Sequence, residues 1–191
     1  KEPFQSLTPN VVKMYVCGVT VYDLCHIGHA RAYVVFDVIR RFLEFLGYTV
    51  TYVQNFTDVD DKIINRAKER GLAGKALSES MIQAYFDDMD RLNIVRASHY
   101  PKVTEHIPQI ISFIEGLVAK EAAYLADDGI YFSVRKSKNY GKLSRRDIEE
   151  MKAGTRATLS EKKQDPLDFA LWKLDSESDL SLPSPWGQGR P

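Results

Sequence analysis

The 191-residue sequence has few cysteines and no long apolar run. Its two cysteines, Cys17 and Cys25, cannot form a disulfide framework for a chain of this size, which favours a reducing, intracellular compartment. No stretch approaches the ~18 consecutive apolar residues that a membrane span requires. Residues 1–10 also lack the apolar segment of a signal peptide. We therefore expect a cytoplasmic protein with no membrane partner.

The charge has no excess of either sign. Lysine and arginine together number 26, and aspartate and glutamate together also number 26. No global positive field indicates a nucleic-acid partner, so any contact with a polyanion must be local. Apolar residues make up 44% of the chain, which is ordinary for a globular domain and excludes a disordered or fibrous protein.

The usual glycine-rich phosphate-binding fingerprints are absent. Neither Gly-x-Gly-x-x-Gly nor Gly-Lys-Ser/Thr occurs, which argues against a dinucleotide-dependent enzyme or a P-loop NTPase. The four histidines and two cysteines also show no standard zinc-finger spacing. Taken alone, these residue types give only weak support for a metal site.

The first part of the chain, residues 11–53, has the sequence pattern of a strand, a helix and a second strand. Residues 11–16 form a short apolar run that predicts a buried strand, and residues 48–53 are rich in β-branched and aromatic side chains. Between them, apolar residues repeat at helical spacing from Ala30 until Gly47, which has the position of a helix C-terminal glycine. This length predicts a right-handed βαβ unit with parallel strands, whose ligands bind beyond the carboxyl ends of the strands.

Further along the chain, helices are predicted over residues 59–70, 77–92 and 104–119, and a strand over residues 130–134. The block of residues 97–156 has helix and strand signals of its own. It therefore looks like an insertion rather than a continuation of the first unit.

Two histidines flank Gly28 at the expected start of the first helix. The free N–H groups and the dipole of a helix N-terminus favour anions, so His26 and His29 are candidates for donating hydrogen bonds to ATP phosphates. Gly28 would let a nucleotide approach the backbone closely. The alternative is that both histidines are polar residues at a helix start, or a stray His-x-x-His metal pair, and a four-residue string on its own slightly favours that alternative.

Cys17 and Thr57 each follow a predicted strand and each have two interpretations. Cys17 is either a small buried apolar residue, as most unpaired cysteines are, or a thiolate ligand of zinc. Thr57 either presents its hydroxyl to a substrate or caps the next helix, since Asp60 lies three residues further on. Capping alone is enough to explain Thr57.

Taken together, the motifs favour the functional interpretations of these residues, because the motifs closely resemble those of the cysteinyl-tRNA synthetase family. The resemblance is collinear and covers nearly the whole chain. It rests on residues 14–23, 26–31, 55–63, 140–144, 165–173 and 184–187.

The resemblance implies an α/β fold, a Rossmann-like parallel sheet interrupted by a connective-peptide insertion. Residues 1–96 match the first half of the catalytic domain, 97–156 the insertion and 157–191 the truncated start of the second half. The implied activity is the ATP-dependent activation of cysteine and its transfer to tRNA(Cys), with Mg²⁺ accompanying ATP and one Zn²⁺ per chain selecting cysteine.

The resemblance also implies roles for particular residues. His26, Ile27, Gly28 and His29 match the ATP-binding signature, in which the two histidines are catalytic. Cys17 matches the first zinc ligand of the family, whereas Cys25 matches no ligand and is expected to be structural. The residues implied to bind the substrate are Gly18, Thr20 and Thr57.

Several parts of the family pattern are missing from this sequence. The other zinc ligands, a substrate-contacting tryptophan, the Lys-Met-Ser-Lys-Ser loop and the anticodon-reading domain would all lie after Pro191. We therefore expect that this chain is an incomplete portion, which alone does not charge tRNA and holds zinc weakly or not at all.

Two other functions remain open at this point. One is a cysteine ligase of the same lineage that delivers cysteine to an amino-sugar acceptor. The sequence of residues 20–23 disfavours this alternative. The other is a non-catalytic nucleotide- or RNA-binding module, which the presence of Cys17, His26, His29 and Thr57 disfavours.

Overall fold

The computed structural model describes residues 3–145 and 163–191 of the chain. It contains two compact units, Lys1–His106 and Ile107–Pro191. Part of the expected insertion, residues 146–156, and the first six residues of the expected second half, 157–162, lie outside the described residues. Among the described residues, no helix combines the length and apolar character that a membrane span requires.

The first unit is built on the predicted βαβ arrangement. Strand β1 (Val11–Val16) is followed by helix α1 (Ile27–Phe45) and strand β2 (Thr49–Gln54). The two strands are parallel and in register from Val11 opposite Thr49 to Val16 opposite Gln54. The α/β class with a parallel sheet is therefore confirmed, and the helix begins three residues before the predicted Ala30.

A third extended segment lies on the other side of β2. Parallel bridges join Val53 to His99 and Phe56 to Lys102. The backbone N–H of Gln54 donates to the carbonyl of His99 over 3.1 Å. The order across this unit is therefore residues 99–102, then β2, then β1.

Helices α2 (Asp61–Arg70) and α3 (Gly74–Arg91) follow β2. Asp60, not Thr57, caps α2, because its carboxylate accepts a hydrogen bond of 2.8 Å from the N–H of Lys62. The interpretation of Thr57 as a helix cap is therefore wrong. An aspartate directly before the first helical residue satisfies that donor, so the hydroxyl of Thr57 is left for other contacts.

The core beside β2 is aromatic. Phe56 is 1% exposed, and its ring lies edge-on to those of Tyr85 and Phe86 and stacks on that of Tyr100, with centroids 5.1–5.5 Å apart. These offset and T-shaped arrangements are the favoured ones for aromatic pairs. The rings anchor α3 and the 99–102 segment against the end of β2.

Helix α1 leaves most of its apolar stripe uncovered in this chain. It buries Tyr33 and Asp37 instead. Its sequence pattern correctly predicts the helix, but eight apolar residues in this region are 40–85% exposed. These residues are Ile27, Val34, Val35, Val38, Ile39, Phe42, Phe45 and, just after the helix, Leu46.

The second unit combines helix α4 (Ile107–Ala119) with an antiparallel sheet. Its strands are β3 (Ala123–Ala126), β4 (Gly129–Phe132), β5 (Phe169–Leu174) and β6 (Gly189–Arg190), paired in that order. Residues 104–106, predicted as the start of α4, belong instead to a separate 3₁₀ turn, Val103–His106. The predicted strand 130–134 ends at Phe132 because a 3₁₀ turn begins at Val134.

Asp168 is a buried polar centre in the second unit. It is 2% exposed. Its carboxylate accepts hydrogen bonds from the N–H of Val134 (2.9 Å), the hydroxyl of Tyr124 (2.8 Å) and the N–H of Asp165 (3.2 Å). A buried carboxylate is tolerated when several donors satisfy it in this way. Asp168 thus holds the start of β5 against β3 and the turn after β4.

Candidate functional site

The candidate site lies where β1 and β2 end. Because the strands are parallel, both of their carboxyl ends open at the same edge of the sheet. The two loops continue to pair beyond the strands, with a parallel bridge between Thr20 and Thr57. The N–H of Val21 donates to the carbonyl of Thr57 over 3.2 Å, and the N–H of Thr57 donates to the carbonyl of Val19 over 3.0 Å. The structure therefore brings Thr20 and Thr57 together.

Gly18 joins the same cluster through Asn55. The side-chain Oδ1 of Asn55 accepts a hydrogen bond of 2.8 Å from the N–H of Gly18. A Cβ atom at position 18 would lie 1.5 Å from the backbone oxygen of Asn55, an overlap that no side chain can relieve. Glycine is thus required at this position by the close approach of the two loops.

Cys17 is exposed and has no disulfide partner. Its carbonyl accepts a hydrogen bond of 3.5 Å from the hydroxyl of Tyr33 on α1. Within residues 3–145 and 163–191, the structure holds no group of three or more histidine, cysteine, aspartate or glutamate side chains able to bind a metal ion. Since a zinc site needs about four ligands, the described residues do not complete one around Cys17.

Cys25 differs from Cys17 in its surroundings. Burial raises the pKa of the Cys25 thiol to about 11, and the negative charge of Asp88 adds to this effect. A thiol with this pKa remains protonated at neutral pH, which is a poor state for a metal ligand or a nucleophile. The surroundings of Cys25 therefore disfavour its thiolate form.

His26 and His29 form a reciprocal cap at the start of α1. The Nδ1 atom of His26 accepts a hydrogen bond of 3.0 Å from the N–H of Gly28, and the Nδ1 atom of His29 accepts one of 3.2 Å from the N–H of His26. A backbone N–H can only donate, so both Nδ1 atoms must be unprotonated. In the neutral rings, each proton therefore lies on Nε2. The cap thus leaves one N–H donor on each imidazole available beside the helix N-terminus.

Gly28 provides room for this cap. A Cβ atom at position 28 would lie 2.7 Å from Cε1 and 2.9 Å from Nδ1 of His26. A larger residue would therefore push the His26 ring out of its capping position. Beside this turn, an open groove of about 400 Å³ is lined by Gly28, Arg31, Ala32, Val35 and Phe36.

The pKa of His29 is lowered. Partial burial is the main cause, since it disfavours the imidazolium form, and the positive charge of a protonated His26 acts in the same direction. The two rings are close, with their centroids 4.0 Å apart. The lowered pKa favours the neutral ring of His29, whose unprotonated Nδ1 is the acceptor that the capping bond requires.

Asp23 anchors the loop that runs from the group around Gly18 and Thr20 to the capping pair His26 and His29. Its carboxylate pairs with Arg66 over 2.8 Å and with Arg70 over 3.0 Å, both on α2. The pKa of Asp23 is lowered, first by the hydrogen bond from the N–H of Leu24 and then by the charges of the two arginines. These contacts fix the loop that carries the histidines to the helix that follows Thr57.

The sequence did not single out three residues that organise this site: Tyr33, Asn55 and Asp23. Asn55 directly follows the last residue of β2, and a polar residue at the carboxyl end of a parallel strand is a signal for a site. The sequence signal for Tyr33 is weaker, because the carbonyl of Cys17 to which its hydroxyl donates lies 16 residues away in the chain. Asp23 lies in a motif that carries the family resemblance, but its ion pairs with Arg66 and Arg70 depend on partners more than 40 residues away.

Comparison with known proteins places this geometry in a family. A family model described as tRNA synthetases class I (C) catalytic domain matches residues 3–191. The cysteine–tRNA ligase of Geobacillus thermodenitrificans (strain NG80-2) is 56% identical over 191 residues, which is 100% of this chain and 41% of that protein. The cysteine–tRNA ligase of Sulfurihydrogenibium sp. (strain YO3AOP1) is also 56% identical, over 100% of this chain and 39% of that protein. This chain thus spans about two fifths of the length of these curated relatives.

Solved structures agree on the fold. A Mycobacterium tuberculosis methionyl-tRNA synthetase in complex with methionyl-adenylate superposes with a TM-score of 0.57 and 21% identity, covering 65% of this chain and 25% of that one. A LeuRS from Agrobacterium radiobacter K84, in a ternary complex with tRNA and LeuAMS, gives a TM-score of 0.55 and 20% identity, covering 66% of this chain and 17% of that one. At this identity, the likeness shows the Rossmann-like fold alone.

The pKa of His29 is a testable consequence of the cap. We expect His29 to titrate below the 6.5 of an unperturbed histidine, as followed by NMR of its Hε1 proton. A lowered pKa in the folded state means that the unfolded chain binds more protons. His29 therefore contributes stability that is present above pH 6.5 and is lost as the pH falls through its folded pKa.

The variant His26→Asn is the control for the cause of this shift. Asparagine is a good N-cap residue but carries no imidazolium charge. We expect the His29 pKa in this variant to rise only partly, because burial, the larger cause, remains. A wild-type His29 pKa at or above 6.5 would contradict the geometry of the cap.

Proposed function

This chain belongs to the family of class I (C) tRNA synthetase catalytic domains, and we propose that its parent protein activates cysteine with ATP and transfers it to tRNA(Cys). The observation that carries the proposal is the match over the whole chain, at 56% identity, to a cysteine–tRNA ligase. Because the chain covers only 41% of that relative, the proposed activity is that of a longer protein.

ATP is proposed to bind at the N-terminus of α1. The helix dipole favours phosphate there, and residues 26–29 form the first turn with its cap. The Nε2–H groups of His26 and His29 are proposed to donate to the α-phosphate and to the leaving pyrophosphate. In this reaction the carboxylate of cysteine attacks the α-phosphate and the bond to pyrophosphate breaks. Mg²⁺ bound with ATP would share the negative charge that develops.

Cysteine is proposed to bind against Gly18, Thr20 and Thr57. The N–H of Gly18 is already donated to Asn55, so Gly18 contributes space for the ligand rather than a hydrogen bond. Thr57 has no capping role, so its hydroxyl remains available to a substrate. After activation, the cysteinyl group passes to the terminal ribose of tRNA(Cys) and AMP leaves.

Cys17 is proposed as one ligand of a zinc ion, with the remaining ligands supplied from outside the described residues. When bound, zinc would take the thiolate of the substrate as a further ligand, and the hydroxyl of serine is a much poorer zinc ligand. The exposure of Cys17 at the carboxyl end of β1 supports this proposal, since a ligand shared with other parts of a protein must be accessible.

The division of the chain is proposed as residues 1–96 for the first half of the catalytic domain, 97–156 for the insertion and 157–191 for the start of the second half. The uncovered apolar stripe of α1 supports the idea of an incomplete domain. Exposed apolar patches of this extent are uncommon on a finished monomer surface. We propose that further parts of the parent protein cover α1.

The decisive experiment measures the parent protein with labelled cysteine, ATP, zinc and tRNA(Cys). Cysteinyl-adenylate formation followed by charging of tRNA is the expected result. Adenylate formation with transfer to an amino sugar and not to tRNA would favour the ligase of the same lineage. ATP binding without adenylate formation would indicate a non-catalytic module, and either of these results would overturn the proposal.

In the same assay, His26→Asn separates chemistry from folding. Asparagine retains a capping side chain but removes the Nε2–H donor, so we expect unchanged stability and an adenylation rate lowered by about 100-fold. His99→Asn, at an exposed histidine of the same unit, is the matched control and should leave the rate unchanged. A His26→Asn rate within about twofold of the wild type would remove His26 from the mechanism.

The zinc proposal predicts a difference between the two cysteines of the parent protein. Cys17→Ser should lower the zinc content, measured by metal analysis after dialysis, because it replaces a thiolate by a weak ligand. Cys25→Ser should leave the zinc content unchanged, since the high pKa of its thiol disfavours metal binding. Equal zinc content in the Cys17→Ser variant and the wild type would refute the assignment.

The apolar stripe of α1 gives a stability test of the incomplete domain. Val38 and Phe42 are each 58% exposed in this chain. Replacing both by serine should change the free energy of unfolding of the isolated chain by about 1 kcal/mol or less. In the parent protein, the same change should cost about 3 kcal/mol or more, since it would remove buried apolar area. Lys68→Ser, on the exposed side of α2, is the control and should have little effect in either protein.

A further inference from the structure

We propose that Asn55 is a positioning residue that sets the direction in which the Thr57 hydroxyl donates its hydrogen bond. This inference rests on the proposed function, because it concerns the cysteine-binding cluster of Gly18 and Thr57. It adds a residue that does not itself need to touch the substrate. The hydrogen-bond partners of the Asn55 side chain all lie at or near the carboxyl ends of β1 and β2.

The orientation of the Asn55 amide is fixed by its partners. Oδ1 of Asn55 receives hydrogen bonds from the N–H of Gly18 (2.8 Å) and the hydroxyl of Tyr15 (2.9 Å). The Gly18 N–H can only donate, so the atom facing it must be the amide oxygen. The NH₂ group must therefore point to the other side, where Thr57 lies.

This orientation determines what the Thr57 hydroxyl can do. Nδ2 of Asn55 donates to Oγ1 of Thr57 over 3.4 Å. An amide NH₂ group cannot accept a proton, so the Thr57 hydroxyl proton must point away from Asn55. Thr57 is therefore kept ready to donate to an acceptor, and the carboxylate of a bound amino acid is an acceptor of this kind.

The backbone holds Thr57 in place independently of Asn55. The N–H and carbonyl of Thr57 both bond to the loop after β1, at Val19 and Val21. Changing the Asn55 side chain should therefore alter the direction of the Thr57 hydroxyl without moving its backbone. This separation makes the role of Asn55 measurable.

Asn55→Asp is the informative variant because it has almost the same shape. A carboxylate still accepts from Gly18 and Tyr15, but its second oxygen would face Thr57 and accept the hydroxyl proton. The direction of the hydrogen bond would reverse, and the donor to the substrate would be lost. We expect the KM for cysteine to rise about tenfold or more, with the KM for ATP changed less than about twofold.

The experiment is a double-mutant cycle on the parent protein, read by cysteine-dependent exchange of pyrophosphate into ATP. The four proteins are the wild type, Asn55→Asp, Thr57→Val and the double variant. If Asn55 acts through the Thr57 hydroxyl, the effect of Asn55→Asp on the KM for cysteine should disappear in the Thr57→Val background. Melting temperatures measure folding in all four proteins. Asn65→Asp, an exposed asparagine on α2, is the control for the added charge.

The outcomes separate this inference from the proposed function. A wild-type protein without exchange activity would overturn the proposed function, and the inference with it. An active wild type with an unaffected Asn55→Asp variant would overturn the inference alone. An effect of Asn55→Asp that persists undiminished with Thr57→Val would mean charge repulsion or a general structural role, and would also overturn it.

Discussion

The parallel pairing of β1 with β2 is the constraint on which the candidate site depends. It places the ends of both strands at one edge of the sheet, with Val16 opposite Gln54. The loops that follow are then close enough for Thr20 and Thr57 to pair as well. Their approach is so close that position 18 admits only glycine. A side chain at Gly18 would separate the loops, and with them the groups proposed to bind cysteine.

The histidines at the start of α1 combine an observed structural role with a proposed chemical one. Each Nδ1 atom accepts a backbone N–H and thereby fixes the ring orientation and the position of the proton in the neutral ring. The conformational entropy of these side chains is therefore lost during folding, and a phosphate that binds there would not have to order them. The capping interpretation and the phosphate-binding interpretation of His26 and His29 thus do not compete, because the cap uses Nδ1 and leaves Nε2–H free.

Local patterns predicted the elements of the first unit, whereas features that depend on distant partners were missed. Strand β2 has a local signal in its β-branched residues, but β5 is recognisable only by its pairing with β4, about 40 residues earlier. The spacing of Thr57 and Asp60 predicts a cap at Thr57, yet Asp60 itself is the cap. The role of Asn55 was also hidden, since Gly18 lies 37 residues away from it.

Helix α1 is inverted relative to a surface helix, whose apolar stripe faces its own core. Here the covered side is partly polar. Asp37 is 7% exposed and accepts hydrogen bonds from Arg41 (2.7 Å) and from the N–H of Val95 (3.0 Å). Arg40 donates to the carbonyl of Arg96 over 2.8 Å. These hydrogen bonds hold the turn after α3 against α1, beside the edge-on contact of the buried Tyr33 ring with Tyr85 on α3. Because these contacts already attach α1 to the first unit, its apolar stripe remains available to pack against another part of a protein. This is the property expected of a helix that packs on two sides.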